Sequence, residues 1–233
     1  MCMIMTKRLE IIINELKKHK NLSNKYLIDL LNISEATLRR DLNTLEKNNL
    51  ITRVHGGAVL TELIKEELSF DKNSISNIDS KIKIAKKTIS YLDGAKYIYI
   101  DAGTTTNILI DYINTTNITV VTNGTMHLNK LISKKINTYF LGGEIKPLTL
   151  SSIGEIAISN LKKFNFDLAL IGTNGIDENV GFTTHDVREA SIKSLAISLS
   201  KNAFILGDTS KYGKIYFSKF ADFNNVSLIT EES

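Results

Sequence analysis

The chain has 233 residues, 42% hydrophobic and 23% charged, which suits a soluble globular protein with one large domain or two ordinary ones. Its lone cysteine, Cys2, excludes an intrachain disulfide and a cysteine-based metal site, and points to a reduced, cytoplasmic compartment. The net charge of +4 lies entirely in residues 1–60, where ten lysines and arginines face six acids, while residues 61–233 balance at 19 of each sign. A polyanionic partner favours that asymmetry. No run approaches the roughly 20 apolar residues of a membrane span, and Met1–Met5 is too short for a signal-peptide core.

Three helices are predicted in the first sixty residues. In the first, Thr6 is the expected N-cap and Leu9, Ile12, Ile13 and Leu16 recur at i, i+3, i+4 and i+7, giving one apolar stripe. Ser23 caps the second, whose stripe is Leu27, Leu30 and Leu31. A tight turn at Asn32-Ile33 leads to the third, capped by Ser34. There Leu38, Leu42 and Leu45 face inward, while Glu35, Thr37, Arg39, Arg40 and Asn43 lie around the outer surface. A short turn between two such helices is the helix-turn-helix connection, which leaves the second helix free to enter a groove. Asp41 is placed to hold one of the adjacent arginines in a local ion pair. Leu50-Ile51-Thr52-Arg53-Val54 then reads as a strand, Gly56-Gly57 as its turn and Ala58-Val59-Leu60 as the returning strand, which makes a winged helix.

Residues 61–80 have mixed charge and little periodicity, and read as a linker with some helix. A helix from Asp79 to Leu92, with Ile82, Ala85, Ile89 and Leu92 on one side, opens the second domain, residues 81–233. From residue 95 short apolar strands alternate with amphipathic helices: Tyr97–Ile100, Thr119–Val121, Thr138–Leu141, Leu168–Ile171, Phe204–Leu206 and Val226–Ile229. That alternation predicts an α/β domain with a mainly parallel sheet, in which ligands bind beyond the carboxyl ends of the strands. Five of those ends are rich in glycine and polar residues: Asp101-Ala102-Gly103-Thr104-Thr105-Thr106, Thr122-Asn123-Gly124, Leu141-Gly142-Gly143-Glu144, Gly172-Thr173-Asn174-Gly175 and Gly207-Asp208-Thr209-Ser210-Lys211. They are expected to converge on one pocket. Glycine admits a ligand close to the backbone, and hydroxyls with free N–H groups at a helix N-terminus suit a phosphate. Lys211 can bring an ammonium to the same anion, and Asp208 a carboxylate to sugar hydroxyls.

Two sets of motifs resemble the DeoR family of bacterial transcription repressors. The family's S-x-x-T-[IL]-R-R-D-L and H-G-G-A signatures stand at Ser34–Leu42 and His55–Ala58. Its sensor domain, itself similar to ribose-5-phosphate isomerase, shows D-x-G-[ST]-T, T-N, G-G, Glu-x-x-x-Lys (here Glu189 and Lys193) and D-x-S-K in the order found here. The resemblance implies a winged helix-turn-helix joined to an α/β sensor domain. It makes Ser34, Thr37, Arg39 and Arg40 contacts to double-stranded DNA, with Arg53, His55 and Gly56 in the wing. It further implies a phosphorylated sugar effector, its phosphate on Thr104, Thr105, Thr106 and Lys211 beside Gly103 and Gly142, and its hydroxyls on Asp101, Asn123 and Asp208. Glu189 and Lys193, at i and i+4, have the alternative of a surface ion pair. A homo-oligomer, dimer or tetramer, is implied, with no cofactor and no membrane.

Two departures stand out. Asn73 occupies the arginine position of the family's Phe-x-x-Arg, which here reads Phe70-Asp71-Lys72-Asn73 ahead of Lys81-Ile82-Lys83-Ile84-Ala85, and Gly207 replaces the usual alanine before Asp208. The competing reading is a sugar-phosphate isomerase with an accessory DNA-binding module. It needs a general base, for which Asp208 or Glu189 could serve, and a proton route that the sequence does not oblige. A regulator accounts for the whole chain, catalysis only for the pocket.

Overall fold

The computed structural model describes residues 5–19, 21–47, 51–54, 56–60, 67 and 69–233, which fall into two compact units, Met1–Glu66 and Glu67–Ser233. His55 lies outside the described residues. In the first unit, helices α1 (Met5–His19), α2 (Asn24–Leu31) and α3 (Glu35–Lys47) pack with a three-stranded antiparallel sheet of β1 (Asn21–Ser23), β2 (Ile51–Val54) and β3 (Gly57–Leu60). Thr6 falls inside α1 rather than at its cap. Ser23 caps α2 by accepting from Tyr26 N–H at 3.1 Å. Asn32 ends that helix in the left-handed conformation at φ 49°, which asparagine tolerates. Ile12, Leu16, Leu27, Leu31, Leu38, Leu42, Leu45 and Ile51 form the core.

Asp41 is 1% exposed and grips Arg8 of α1, accepting from Nε at 2.7 Å and from Nη2 at 3.0 Å. It therefore holds neither of its neighbouring arginines: position 41 shares the inward face of α3 with Leu38 and Leu45, whereas 39 and 40 point away. β1 has no apolar alternation and is a strand only because β3 supplies its partner. Gly57 is required there, since a Cβ would stand 2.2 Å from the Leu22 carbonyl oxygen, and Gly56 turns the wing at φ +77°.

The second unit opens with α4 (Phe70–Ser74) and α5 (Ile78–Thr88). The segment read as linker thus belongs, from Glu67 onward, to the sensor unit. The buried stripe of α5 is Lys81, Ile84, Ala85 and Thr88, a rotation of the expected face that brings a lysine inside. Next come β4 (Tyr97–Ile100), α6 (Thr104–Tyr112), β5 (Thr119–Thr122), α7 (Leu128–Ser133), β6 (Asn137–Phe140), β7 (Glu144–Lys146), β8 (Ser151–Ile153), α8 (Gly154–Leu161) and β9 (Phe166–Gly172). The chain continues through β10 (Gly175–Asp177), β11 (Gly181–Thr184), α9 (Val187–Ser198), β12 (Ser200–Leu206), β13 (Ser218–Ala221) and β14 (Ser227–Ile229).

The six strands read from the sequence are the six of one parallel sheet, ordered β14-β12-β9-β4-β5-β6. Ile98, Ile100, Val120, Leu168 and Leu170 point to one face against α5 and α6, and Tyr99, Val121, Ala169, Ile171 and Ile205 to the other, so both faces are buried. From β4 the chain runs outward to β5 and β6, then returns to place β9 on the other side of β4. That reversal makes the β4/β9 boundary the switch point of the sheet.

Removing Asp41 tests the first unit. Asp41→Ala is expected to cost about 3–5 kcal/mol, because it withdraws the carboxylate from a buried guanidinium. Calorimetry of the full chain should show the transition of the winged unit moving down while that of the sensor unit stays. An unmoved transition would show that the pair carries no such load.

Candidate effector cleft and nucleic-acid interface

A cleft of about 710 Å³ opens at the switch point, above the carboxyl ends of β4, β9 and β12. Gly103, Thr104, Thr105 and Thr106 line it from the β4 end, Gly172, Thr173 and Asn174 from β9, and Gly207, Asp208 and Lys211 from β12. Of the nine residues expected at the effector, these include Gly103, Thr104, Thr105, Thr106, Asp208 and Lys211. The other three are not on its lining.

Asp101 lies beneath the floor, 1% exposed, where Oδ2 accepts from Gly172 N–H at 3.0 Å and from the Lys193 ammonium. Burial pushes its carboxyl pKa up against the pull of Lys193. Asn123 accepts from Ala102 N–H at 2.7 Å and faces the backbone of Ser152. Gly142 turns the chain at φ +68° and its carbonyl takes the Ser152 hydroxyl. So only three of the five polar strand ends converge. Those of β5 and β6 are covered by the β7–β8 hairpin, through Ser152 N–H to Asn123 O at 2.6 Å and a bridge between Gly124 and Ser151.

The end of the cleft whose chemistry suits an anion lies at the first turn of α6. Gly103 is extended at φ 173°, and the amides that follow it have no i−4 carbonyl to bind. The Thr106 hydroxyl is consumed locally, donating to Asp101 O at 2.7 Å and contacting Gly103 O at 2.9 Å. His127 supports the turn from below, 2.8 Å from the Thr122 hydroxyl; burial drives its pKa down to about 3, so it is neutral. The hydroxyls of Thr104 and Thr105 and the Lys211 ammonium have no hydrogen-bond partner among the described residues, and all three residues line the cleft.

Lys81, which the sequence reading did not assign to the site, joins them. It is 1% exposed and donates to the carbonyls of Asn73 and Ser76, the latter at 2.7 Å. Burial first, then Lys211, pulls its pKa down to about 8, against the pull of Asp208. The available signal was a lysine three and four residues before Ile84 and Ala85, in register with an apolar stripe. Asp208 Oδ1 accepts from Asn77 Nδ2 at 3.1 Å and from Ser210 N–H at 3.1 Å. A Cβ at Gly207 would stand 2.8 Å from Thr173 Cγ2 and 3.0 Å from Ile176 Cδ1, so alanine there would need those side chains to shift.

The opposite end carries carboxylates. Glu189 is buried and takes the hydroxyls of Thr149 at 2.6 Å, Ser151 at 2.9 Å and Thr184 at 3.4 Å. Burial raises its pKa, but Lys193, the Thr149 hydroxyl, Lys146 and the Ser151 hydroxyl more than offset that and leave it below the usual value. Lys193 is also buried and bonds Asp101 and Gly172 O, so the two are not a surface ion pair. Lys146 sits among Glu67, Asp186 at 3.3 Å and Glu189 at 3.6 Å. Glu67 lines the cleft; burial pushes its pKa up, and Glu189 and Asp186 add to the rise.

In the first unit, Ser34 caps α3, its Oγ accepting from Thr37 N–H at 3.3 Å and lying 2.9 Å from the Thr37 hydroxyl. Arg39 and Arg40 are exposed, with no hydrogen-bond or ion-pair partner among the described residues. Arg53 is exposed on β2 and donates to Asn43 Oδ1 at 2.7 Å, while its N–H donates to Glu46 Oε1 at 3.0 Å, tying wing to helix. Arg39 and Arg53 share the lining of a hollow of about 350 Å³. A helix bearing free guanidiniums beside a wing is the shape a major groove accepts.

Residues 8–63 match the DeoR-like helix-turn-helix domain and residues 76–232 the DeoR C terminal sensor domain. The chain is 42% identical over 232 residues to the HTH-type transcriptional regulator FruR of Bacillus subtilis (99% of this chain, 92% of that one). It is 30% identical over 230 residues to a lactose phosphotransferase system repressor of Staphylococcus epidermidis (97% and 91%). Its identity to the transcriptional repressor GlcR of B. subtilis is 31% over 229 residues (97% and 88%). Among solved structures, ribose 5-phosphate isomerase from Methanocaldococcus jannaschii aligns with a TM-score of 0.44 at 14% identity (59% and 55%). With both of its units matched and relatives aligned along nearly all its length, this chain belongs to the DeoR family of helix-turn-helix transcriptional regulators.

Proposed function

We propose that the protein binds an operator through α3 and its wing, that a phosphorylated sugar occupies the cleft, and that the sugar lowers operator affinity. The observation that carries the reading is the pairing of a free lysine, Lys211, and two free threonine hydroxyls with a helix N-terminus at the sheet's switch point. A phosphate finds donors and positive charge there. Asp208, Glu189 and Asn174 offer acceptors and an amide to the hydroxyls of the sugar. The related repressors of lactose phosphotransferase genes are consistent with a sugar-linked operon. Ser34, Thr37, Arg39, Arg40 and Arg53 are the proposed DNA contacts, in two protomers set on repeated half-sites.

Arg39→Ala and Arg40→Ala are each expected to weaken operator binding by about 1–3 kcal/mol, read as a shift in a gel-shift titration. Unchanged affinity in both would refute the assignment of α3 as reader.

A panel of five- and six-carbon aldose and ketose monophosphates, with inorganic phosphate as control, should raise the melting temperature for at least one sugar without turnover. Lys211→Met should weaken that ligand by about 10- to 100-fold, the worth of a hydrogen bond to a charged group. Turnover of any panel member would instead favour the isomerase reading.

Binding should also depend on pH. The ammonium of Lys81, flanked by Lys211 and Asp208, titrates near 8 in the empty cleft, and a phosphate favours its protonated form. Affinity is therefore expected to be highest from about pH 6, where the phosphate gains its second charge, to about 8, and then to fall by as much as about tenfold per pH unit. Without ligand the sign reverses. Folded Lys81 sheds its proton more readily than unfolded lysine, so its burial penalty is relieved as pH rises from about 8 toward 10.5. Calorimetric titrations from pH 6.5 to 9.5 check the first expectation, and proton uptake measured in two buffers identifies the group; affinity flat across pH 8 would remove Lys81 from the site.

A further inference from the structure

On the outer face of α3 one residue runs against the charge of its unit. Glu35, Arg39 and Asn43 recur at i, i+4 and i+8, so they stand one above another along one side of the helix, and all three are exposed. At the far end the stripe is closed, because Asn43 Oδ1 accepts from Arg53 Nη1 at 2.7 Å. At the near end Ser34 and Thr37 are spent on the helix cap, their hydroxyl oxygens 2.9 Å apart. Glu35, Arg39 and Arg53 line one hollow of about 350 Å³. Glu35 and Arg39 have ion-pair spacing. Among the described residues, however, the Glu35 carboxylate has neither an ion pair nor a hydrogen bond.

A free carboxylate in this place repels the phosphates that Arg39, Arg40 and Arg53 attract. An acid in the first turn suits the helix dipole, but that role is indifferent to base sequence. What a carboxylate can do in a major groove is narrow. It only accepts hydrogen bonds, and guanine and thymine present it with acceptors. Adenine offers its N6 amino group beside the N7 acceptor, whereas cytosine offers N4 with no acceptor on its edge.

We infer that Glu35 sets operator specificity by accepting a hydrogen bond from the N4 amino group of one cytosine in each half-site. The inference rests on the reading of α3 as the operator reader, and adds to it the base that one residue selects. The arginines hold the duplex through phosphates and guanine edges. Glu35 supplies both the attraction to cytosine and the repulsion of bases that turn a lone pair towards it. Its contribution is to discrimination more than to affinity, since the phosphates nearby oppose its charge.

The test is selection of binding sites from random-sequence duplexes by the full-length protein, as wild type, Glu35→Ala and Glu35→Gln, followed by gel-shift titration. Wild type should select a half-site in which cytosine at one position is preferred by about tenfold, the scale of a good base contact. Glu35→Ala should lose that preference at that position alone. It should also bind unrelated DNA more tightly, because a negative charge has left the surface that meets the phosphates. Glu35→Gln keeps the shape and sets an amide, which suits adenine N6 and N7, where the carboxylate stood. Adenine should then take cytosine's place. Glu35 is exposed and bonds no side chain among the described residues, so both variants are expected to fold, and the melting transition of the winged unit checks this.

Loss of the cytosine preference at one position in both variants supports the assignment. If either variant keeps the wild-type preference at every position, or loses affinity equally for all sequences, the assignment of Glu35 is overturned. In that case α3 still stands as reader, provided that Arg39→Ala and Arg40→Ala weaken binding. Wild type selecting no sequence, or both arginine variants binding as wild type does, overturns α3 as reader and this inference with it.

Discussion

One buried carboxylate organises the sensor unit. Asp101 closes β4, and through it four elements are fixed around the switch point. Its Oδ2 receives Gly172 N–H from β9 and Lys193 from α9, and its carbonyl receives the Thr106 hydroxyl from α6. A carboxylate 1% exposed is tolerable only with such partners, because an uncompensated charge inside a protein is expensive. The same bonds that satisfy it set the spacing between the β4 and β9 ends, and so the width of the cleft between them. Asp101 shapes the cleft from beneath without facing it.

The cleft above that anchor is divided by charge. Lys81, Lys211 and the first turn of α6 make one end positive. At the other, Glu67, Asp186 and Glu189 surround Lys146, and three hydroxyls bond Glu189. Burial works in opposite directions at the two ends, lowering the pKa of Lys81 and raising that of Glu67, since in each case it penalises the charged form. A ligand with an anionic head and a hydroxyl-bearing body is complementary to both. Phosphorylated sugars have that form, which is why they are the ligand class proposed for this sensor domain.

The winged unit follows the same economy. Its buried pair, Asp41 with Arg8, locks α3 against α1. Because Asp41 is spent inward, Arg39 and Arg40 keep their charge for an outside partner. All the net positive charge of the chain lies in residues 1–60, which favours a polyanionic partner at that unit, while the sensor is balanced in charge.

Much of this was legible in the sequence, because some patterns are local. Alternation and length gave all six strands of the parallel sheet, the leucine stripe gave the inward face of α3, and Gly56-Gly57 marked the wing. Those depend only on backbone geometry and on which face is apolar. What the sequence could not supply was partnership at a distance. Asp41 has two arginines beside it and bonds one 33 residues away. Glu189 and Lys193 have ion-pair spacing but face different partners, because α9 is buried and each meets what the sheet and the β8 and β11 segments present. Five strand ends looked alike, yet only those of β4, β9 and β12 share the cleft, since the switch point selects them and the β7–β8 hairpin covers the other two. Lys81 came to line the cleft because burial of Ile84 and Ala85 rotated α5 and carried it inside. The sequence by itself determined the elements and their apolar faces, which follow from neighbours along the chain. The tertiary structure decided which charges meet, because that depends on strand order and on packing across the sheet.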